Sequence, residues 1–151
     1  MRNKLEKMAN VLINKITESA RIPEYAHKED AGLDLFSDED SVLKSCEIKC
    51  ISTGIRIELP KNIEGQVRPK SGLALKYGLT VLNTPGTIDP NYRGEIKVIL
   101  INLGKEPYEI KKGTKIAQLV FNKIEKPKIK IVEKLSKTKR NENGFGSTGL
   151  T

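Results

Sequence analysis

The sequence predicts an all-β domain, a small barrel or jelly-roll-like sandwich carrying one short helix. Three observations predict it: short segments that alternate apolar and polar residues, seven prolines set between them at turn-like intervals, and a single stretch of helical character. At 151 residues the chain suffices for one domain with a real core, and no internal repeat is visible.

Residues 1–10 read as an N-terminal extension. Leu5, Met8 and Leu12 have helical spacing, but a frayed end is the expectation. VLINKI (11–16) and LDLF (33–36) are the first strand candidates. GIRIEL (54–59) sets Ile55, Ile57 and Leu59 against Arg56 and Glu58, the period of a half-buried strand. SGLALKYG (71–78) is the one helical stretch, one or two turns long, and LTVLN (79–83) follows it as a strand. GEIKVILINL (94–103) begins by alternating and becomes almost continuously apolar, as a central strand does. KIAQLVF (115–121) and PKIKIVEKL (127–135) complete the set, the latter alternating Ile129 and Ile131 with lysines. The domain is thus expected over 11–135. The period is lost after Leu135, so 136–151 should form a flexible C-terminal tail, mobile until a ligand orders it.

The net charge of +8 invites a nucleic-acid reading until it is located. Residues 123–140 carry +6 and residues 1–10 carry +2, so the body of the chain is neutral. No aromatic residue interrupts 123–140, whereas a single-strand binder interleaves basic and stacking side chains. Solvated lysines are the reading, with attraction of a polyanionic ligand second; no stable nucleic-acid partner is expected. No run of 18 apolar residues and no secretory leader occur, which gives no membrane association and a cytoplasmic location as expectations.

Cys46 and Cys50 flank EIK; on one strand they lie about 13 Å apart at ~3.3 Å per residue, too far to bridge. Buried free thiols are expected. One histidine, His27, supports neither a zinc site with these cysteines nor a Ser–His–Asp set.

Three stretches remain for chemistry. In the acidic window KEDAGLDLFSDED, mostly a solvated loop, Asp34 lies between Leu33 and Leu35 and needs partners: backbone donors or a hydrated cation. RPKSGLA (68–74) sets Lys70, Ser71 and Gly72 at the mouth of the helix, either as a capped turn with Ser71 as N-cap or as a phosphate-binding helix start. NTPGTIDPNYRGE (83–95) reads as a turn-dense hairpin. It carries Asp89 between Ile88 and Pro90, an apolar setting for a general base, and Tyr92 shortly after. The tail RNENGFGSTG (140–149) holds one aromatic, Phe145, between two glycines.

Five stretches, in order, resemble the trimeric deoxyuridine triphosphatase (dUTPase) family: AGLDL (31–35), RPKSGLA (68–74), GTIDPNYRGE (86–95), KGTKIAQLV (112–120) and RNENGFGSTG (140–149). The resemblance runs from about residue 11 to the end. It implies a distorted jelly-roll-like β-barrel, a homotrimer with active sites shared between subunits, and hydrolysis of dUTP to dUMP and pyrophosphate with Mg2+ chelated by the triphosphate. By resemblance Asp89 activates the attacking water. Tyr92 stacks under the deoxyribose and leaves no room for a 2′-hydroxyl. Asn83, with Gly86, Thr87 and Ile88, reads the uracil edge, and Lys97 joins the substrate-binding set. Lys70, Ser71, Gly72 and Gln118 hold phosphates. Asp34 is an outer-shell partner, through water, for Mg2+. Arg140 reaches the γ-phosphate, Phe145 beside Gly146 stacks over uracil, and Ser147 with Thr148 closes on the phosphates.

Four positions depart from the family's pattern. Lys70 stands where arginine is common, Asn91 where a second aspartate is common, and Asn141 and Asn143 where the tail has glycines. A dCTP deaminase of the same fold is the alternative reading. A nucleotide-binding or regulatory trimer without turnover is another, and a basic single-strand binder a third.

Overall fold

The computed structural model describes residues 10–142. In chain order these form β1 (Leu12–Lys15), β2 (Leu33–Phe36), β3 (Ser41–Leu43), β4 (Ile48–Ser52), β5 (Ile55–Glu58), β6 (Ile63–Arg68), α1 (Ser71–Tyr77), β7 (Leu79–Val81), β8 (Gly86–Ile88), β9 (Lys97–Asn102), β10 (Tyr108–Ile110) and β11 (Lys115–Lys123). A four-stranded sheet has the order β2-β11-β6-β8 and a three-stranded sheet the order β4-β9-β7; β1 pairs with β5, and β3 with β10. Every pairing is antiparallel. The all-β expectation with one short helix holds.

The core fills from the inward positions of these strands. On β5, Ile55 and Ile57 are buried while Arg56 and Glu58 are exposed, as the alternation requires. Leu35, Leu43, Ile51, Val98, Leu100 and Leu119 meet them in one cluster. Each such side chain removed from water stabilises the fold by roughly 1.5–3 kcal/mol. The buried Asn102 is fully paired: its amide nitrogen donates to the Leu43 and Glu106 carbonyls, and its oxygen accepts from the Gly104 N–H.

Helix α1 is a connector and has no buried residue. Gly78 ends it in the left-handed region at φ 68°, with its N–H returning to the helix carbonyls. A Cβ there would lie 2.6 Å from the Gly104 nitrogen, so conformation and space both demand glycine.

Three expectations are corrected. Residues 83–95 are not a two-stranded hairpin: β7 pairs with β9, while β8 crosses to β6 in the other sheet. The segment 127–135 forms no strand; Ile129 and Ile131 are about nine-tenths exposed because no sheet edge of the same chain receives them. Cys46 is not on a strand and has φ 59°, and both thiols are free and exposed rather than buried. No described helix is long and apolar enough to cross a membrane.

Candidate active site

Two cavities gather most of the described residues singled out from the sequence, Asn83, Gly86 and Arg140 excepted, and they have no residue in common. The first, of about 400 Å3, is lined by Thr87, Ile88, Asp89, Tyr92 and Lys97, with Cys50 beside them. Strand β8 ends at Ile88, and a tight turn follows in which the Tyr92 N–H donates to the Asp89 carbonyl at 3.1 Å. Arg93 Nη1 pins that turn from outside by donating to the carbonyls of Pro90 (2.8 Å) and Tyr92 (3.0 Å). The Tyr92 hydroxyl donates to the Glu95 carbonyl at 3.0 Å, which fixes the direction of the ring. Lys97 pairs with Glu95 at 3.4 Å. Asn83 lies against Gly86, whose missing Cβ would sit 3.3 Å from the Asn83 amide nitrogen. Asp89 is exposed, not enclosed by apolar groups as its neighbours in sequence imply, and Ile88 and Pro90 are themselves only half-buried.

The second cavity, of about 280 Å3, is lined by Asp34, Lys70, Ser71, Gly72 and Gln118. Strand register assembles it. Gln118 of β11 lies opposite Asp34 of β2 on one side and Arg68 of β6 on the other, so the three share a face. The chain then turns at Pro69 into α1. Gln118 Nε2 donates to the Pro69 carbonyl at 3.0 Å, holding the turn to the sheet. A Cβ at Gly32 would lie 2.5 Å from Gln118 Oε1, so glycine is what lets this amide lie where it does. The helix is capped by Lys70, with no side-chain cap, and Ser71 is its first residue. Ser71 is therefore not the N-cap, and its hydroxyl is left for the cavity it lines. The first amides of any helix lack partners within it, which makes this mouth suited to phosphate oxygens.

Asp34 is the charged centre of this region. Its side chain is 6% exposed and two ammonium groups hold it: Lys70 binds Oδ1 and Lys115 binds Oδ2, the latter at 2.7 Å. Burial pushes its carboxyl up, but the hydrogen bonds and charges of Lys115 and Lys70 outweigh that and hold it below its ordinary 3.8. A depressed carboxyl stabilises the fold fully above its unfolded value and loses that contribution as pH falls through the folded one. Melting temperature should therefore drop as pH falls below about 3.8, and Asp34→Asn should flatten that drop. Parallel acid limbs in thermal scans of the two proteins would refute the assignment.

Asp38, from the acidic window, is a structural carboxylate, not a solvated one: Ser19 donates to it at 2.8 Å, Thr17 donates to its other oxygen, and Lys112 lies 3.7 Å away. At the far end Arg140 is exposed. Next to it Asn141 adopts φ 43°, a conformation that favours glycine and that asparagine tolerates. The Asn141 and Thr138 side chains each accept the other's backbone N–H at 2.9 Å. Asn143, Phe145, Gly146, Ser147 and Thr148 lie outside the described residues, as do 1–9. Lys115, absent from the sequence-based set, is the additional residue that the geometry brings to the site.

Comparison with known proteins settles the family. A family model described as dUTPase matches residues 18–149. The chain belongs to the dUTPase family. A deoxyuridine 5'-triphosphate nucleotidohydrolase of Clostridium kluyveri is 60% identical over 139 residues, covering 92% of this chain and 97% of that protein. The protein of the same name from Alkaliphilus metalliredigens is 56% identical over 143 residues, covering 95% and 99%. Among solved dUTPases, a point mutant from Staphylococcus bacteriophage 80alpha with dUpNHpp superposes with a TM-score of 0.87 at 30% identity, covering 93% of this chain and 99% of that one. A dUTPase mutant from phage phi11 of S. aureus, described for its coordination of a structural Mg(II) ion, gives 0.79 at 30% identity, covering 85% and 99%. The dUTPase jelly roll is thus the fold of this chain.

Proposed function

We propose that this chain hydrolyses dUTP to dUMP and pyrophosphate, acting as a homotrimer whose active sites draw on more than one subunit. The observation that carries the reading is the separation of the family's motif residues into two open cavities on one chain. One has a carboxylate beside an aromatic ring, Asp89 and Tyr92; the other has cation, hydroxyl and amide, Lys70, Ser71 and Gln118. A nucleoside triphosphate needs both chemistries at once, and facing copies supply them together. Uncovered apolar side chains support the trimer: Leu75 on α1 and Ile129, Ile131 and Leu135 beyond β11 are each nearly nine-tenths exposed or more in a single chain.

In the reaction the oxygen of a water molecule forms a bond to the α-phosphorus. The bond from that phosphorus to the α–β bridging oxygen breaks, and pyrophosphate leaves with the electron pair. Asp89 accepts the proton of the attacking water. Lys70, Ser71, Gly72 and Gln118 hold the phosphate chain, and Arg140 from the tail meets its end. Tyr92 packs under the sugar, Asn83 with residues 86–88 reads the base edge, and Lys97 borders the same cavity. We read 11–135 as the body and 136–151 as a closing tail. In it, Phe145 stacks over uracil, Gly146 joins the substrate-binding set, and Ser147 with Thr148 closes on the phosphates. Closure excludes water and strengthens the electrostatics on the phosphates.

The described residues contain no group of three or more His, Cys, Asp or Glu that could cage a metal. Asp34 borders the phosphate cavity, where its carboxylate would contact through water an Mg2+ carried in by the triphosphate. Such an ion neutralises phosphate charge and favours departure of the leaving group.

Pyrophosphate release measured on dUTP, UTP, dTTP and dCTP tests the reading. Release from dUTP alone supports it, whereas ammonia from dCTP would mark a deaminase, and binding without release a regulatory protein. In the same assay Tyr92→Ala should let UTP compete roughly tenfold better, the scale at which steric pockets discriminate. Unchanged selectivity would place the sugar gate elsewhere.

A further inference from the structure

The two lysines on Asp34 are not equivalent. Lys70 lines the phosphate cavity and Lys115 does not. Lys115 reaches Asp34 only through an irregularity in β11. From Leu119 to Ala117 the strand pairs in register with β2, but Lys115 then lies opposite Phe36, which leaves Ile116 as an extra residue. Ile116 and Ala117 are both buried. Unbroken alternation would put Ile116 on the face of Asp34 and turn Lys115 toward the core. The bulge reverses this and aims Lys115 at the carboxylate.

We infer that Lys115 is a positioning residue that holds the charge of Asp34 so that Lys70 can leave it for the phosphates. The inference rests on reading the second cavity as the triphosphate site. A polyphosphate carries more negative charge than one carboxylate, so it draws the Lys70 ammonium into the cavity. A nearly buried carboxylate stripped of every counter-ion is costly, and Lys70 alone on Asp34 would stay there. With Lys115 in place the transfer leaves Asp34 paired. It also frees Oδ1 to accept a hydrogen bond from ligand-borne water. At position 70 a lysine suits this release, as a point charge on a flexible stem, where the fork of an arginine would hold the carboxylate bidentately.

The test is a double-mutant cycle on the full chain in its native assembly, read by calorimetric binding of inorganic pyrophosphate. Lys115→Met should weaken binding about tenfold in the wild-type background, within the coupling expected for one ion-pair network. In the Asp34→Asn background the same change should cost less than about twofold, because no carboxylate remains to hold Lys70. Lys115→Arg should restore most of the affinity, and with dUTP the loss in Lys115→Met should fall on KM rather than kcat. An equal loss in both backgrounds would mean that Lys115 contributes only its field, and the inference fails. Thermal melting of each variant separates misfolding from lost binding, and Asp34→Asn paired with Lys115→Gln repeats the cycle if the methionine variant is unstable. Pyrophosphate binding needs no turnover, so an inactive wild-type protein would sink the proposed hydrolysis while leaving this cycle readable.

Discussion

Asp89→Asn should lower kcat for dUTP by a hundredfold or more, within the ~10²–10⁴ range of general base catalysis. The amide matches the carboxylate in size and keeps an acceptor oxygen, but it cannot take a proton from water near neutral pH. The side chain is exposed, so stability should change by no more than about 0.5 kcal/mol, typical of surface positions. Binding should survive as well, because the phosphate contacts assigned to Lys70, Ser71, Gly72 and Gln118 belong to the other cavity. Single-turnover kinetics on dUTP, set beside calorimetric binding of an imido analogue, separate the two effects. A variant that turns over at near-normal rate would strip Asp89 of its role.

Deleting residues 136–151 should have a comparable effect on turnover and little on the fold. The last strand ends at Lys123, and the described residues from 125 onward are exposed, so truncation uncovers no core. What is lost is the set of contacts assigned to the tail. Stacking of one base on an aromatic is worth roughly 1–3 kcal/mol, a factor of about 5–150 in affinity or rate. Loss of Arg140, Ser147 and Thr148 removes charge and hydrogen bonds from the phosphates besides. Turnover should fall on the order of a hundredfold or more, as when positioning of a bound substrate is lost. The melting temperature should stay within a few degrees. Phe145→Ala should fall between wild type and truncation. A truncated protein that retains full activity would leave the tail without a catalytic purpose.

Part of the fold was legible where a strand keeps a clean period. GIRIEL shows its buried face directly, and Gly78 marks the end of the helix. The three-residue strands β3 and β10 carry too few positions to show any period. β6 was hidden for another reason: its inward position Gly65 is small because Ile88 and Leu119 fill the space, so an apolar signal is missing there. The segment 127–135 misled in the opposite sense, since alternation records that one face expects cover without saying which surface provides it. In the site, motif residues could be named from sequence, but their division between two cavities could not. That division depends on β8 leaving its neighbour β7 for β6, a choice of partner made by the whole sheet. The ion pairs of Asp34 were hidden as well, because a bulge reassigns the side of the strand on which a cation emerges.

That irregularity also sets a rule of spacing. Point substitutions between Thr114 and Leu119 alter one group at a time, but gaining or losing a residue there would exchange the interior and exterior sides of everything upstream. The length of this short stretch is therefore fixed more tightly than its spelling, and a relative that keeps the charge while changing the count would need a different way to neutralise its aspartate.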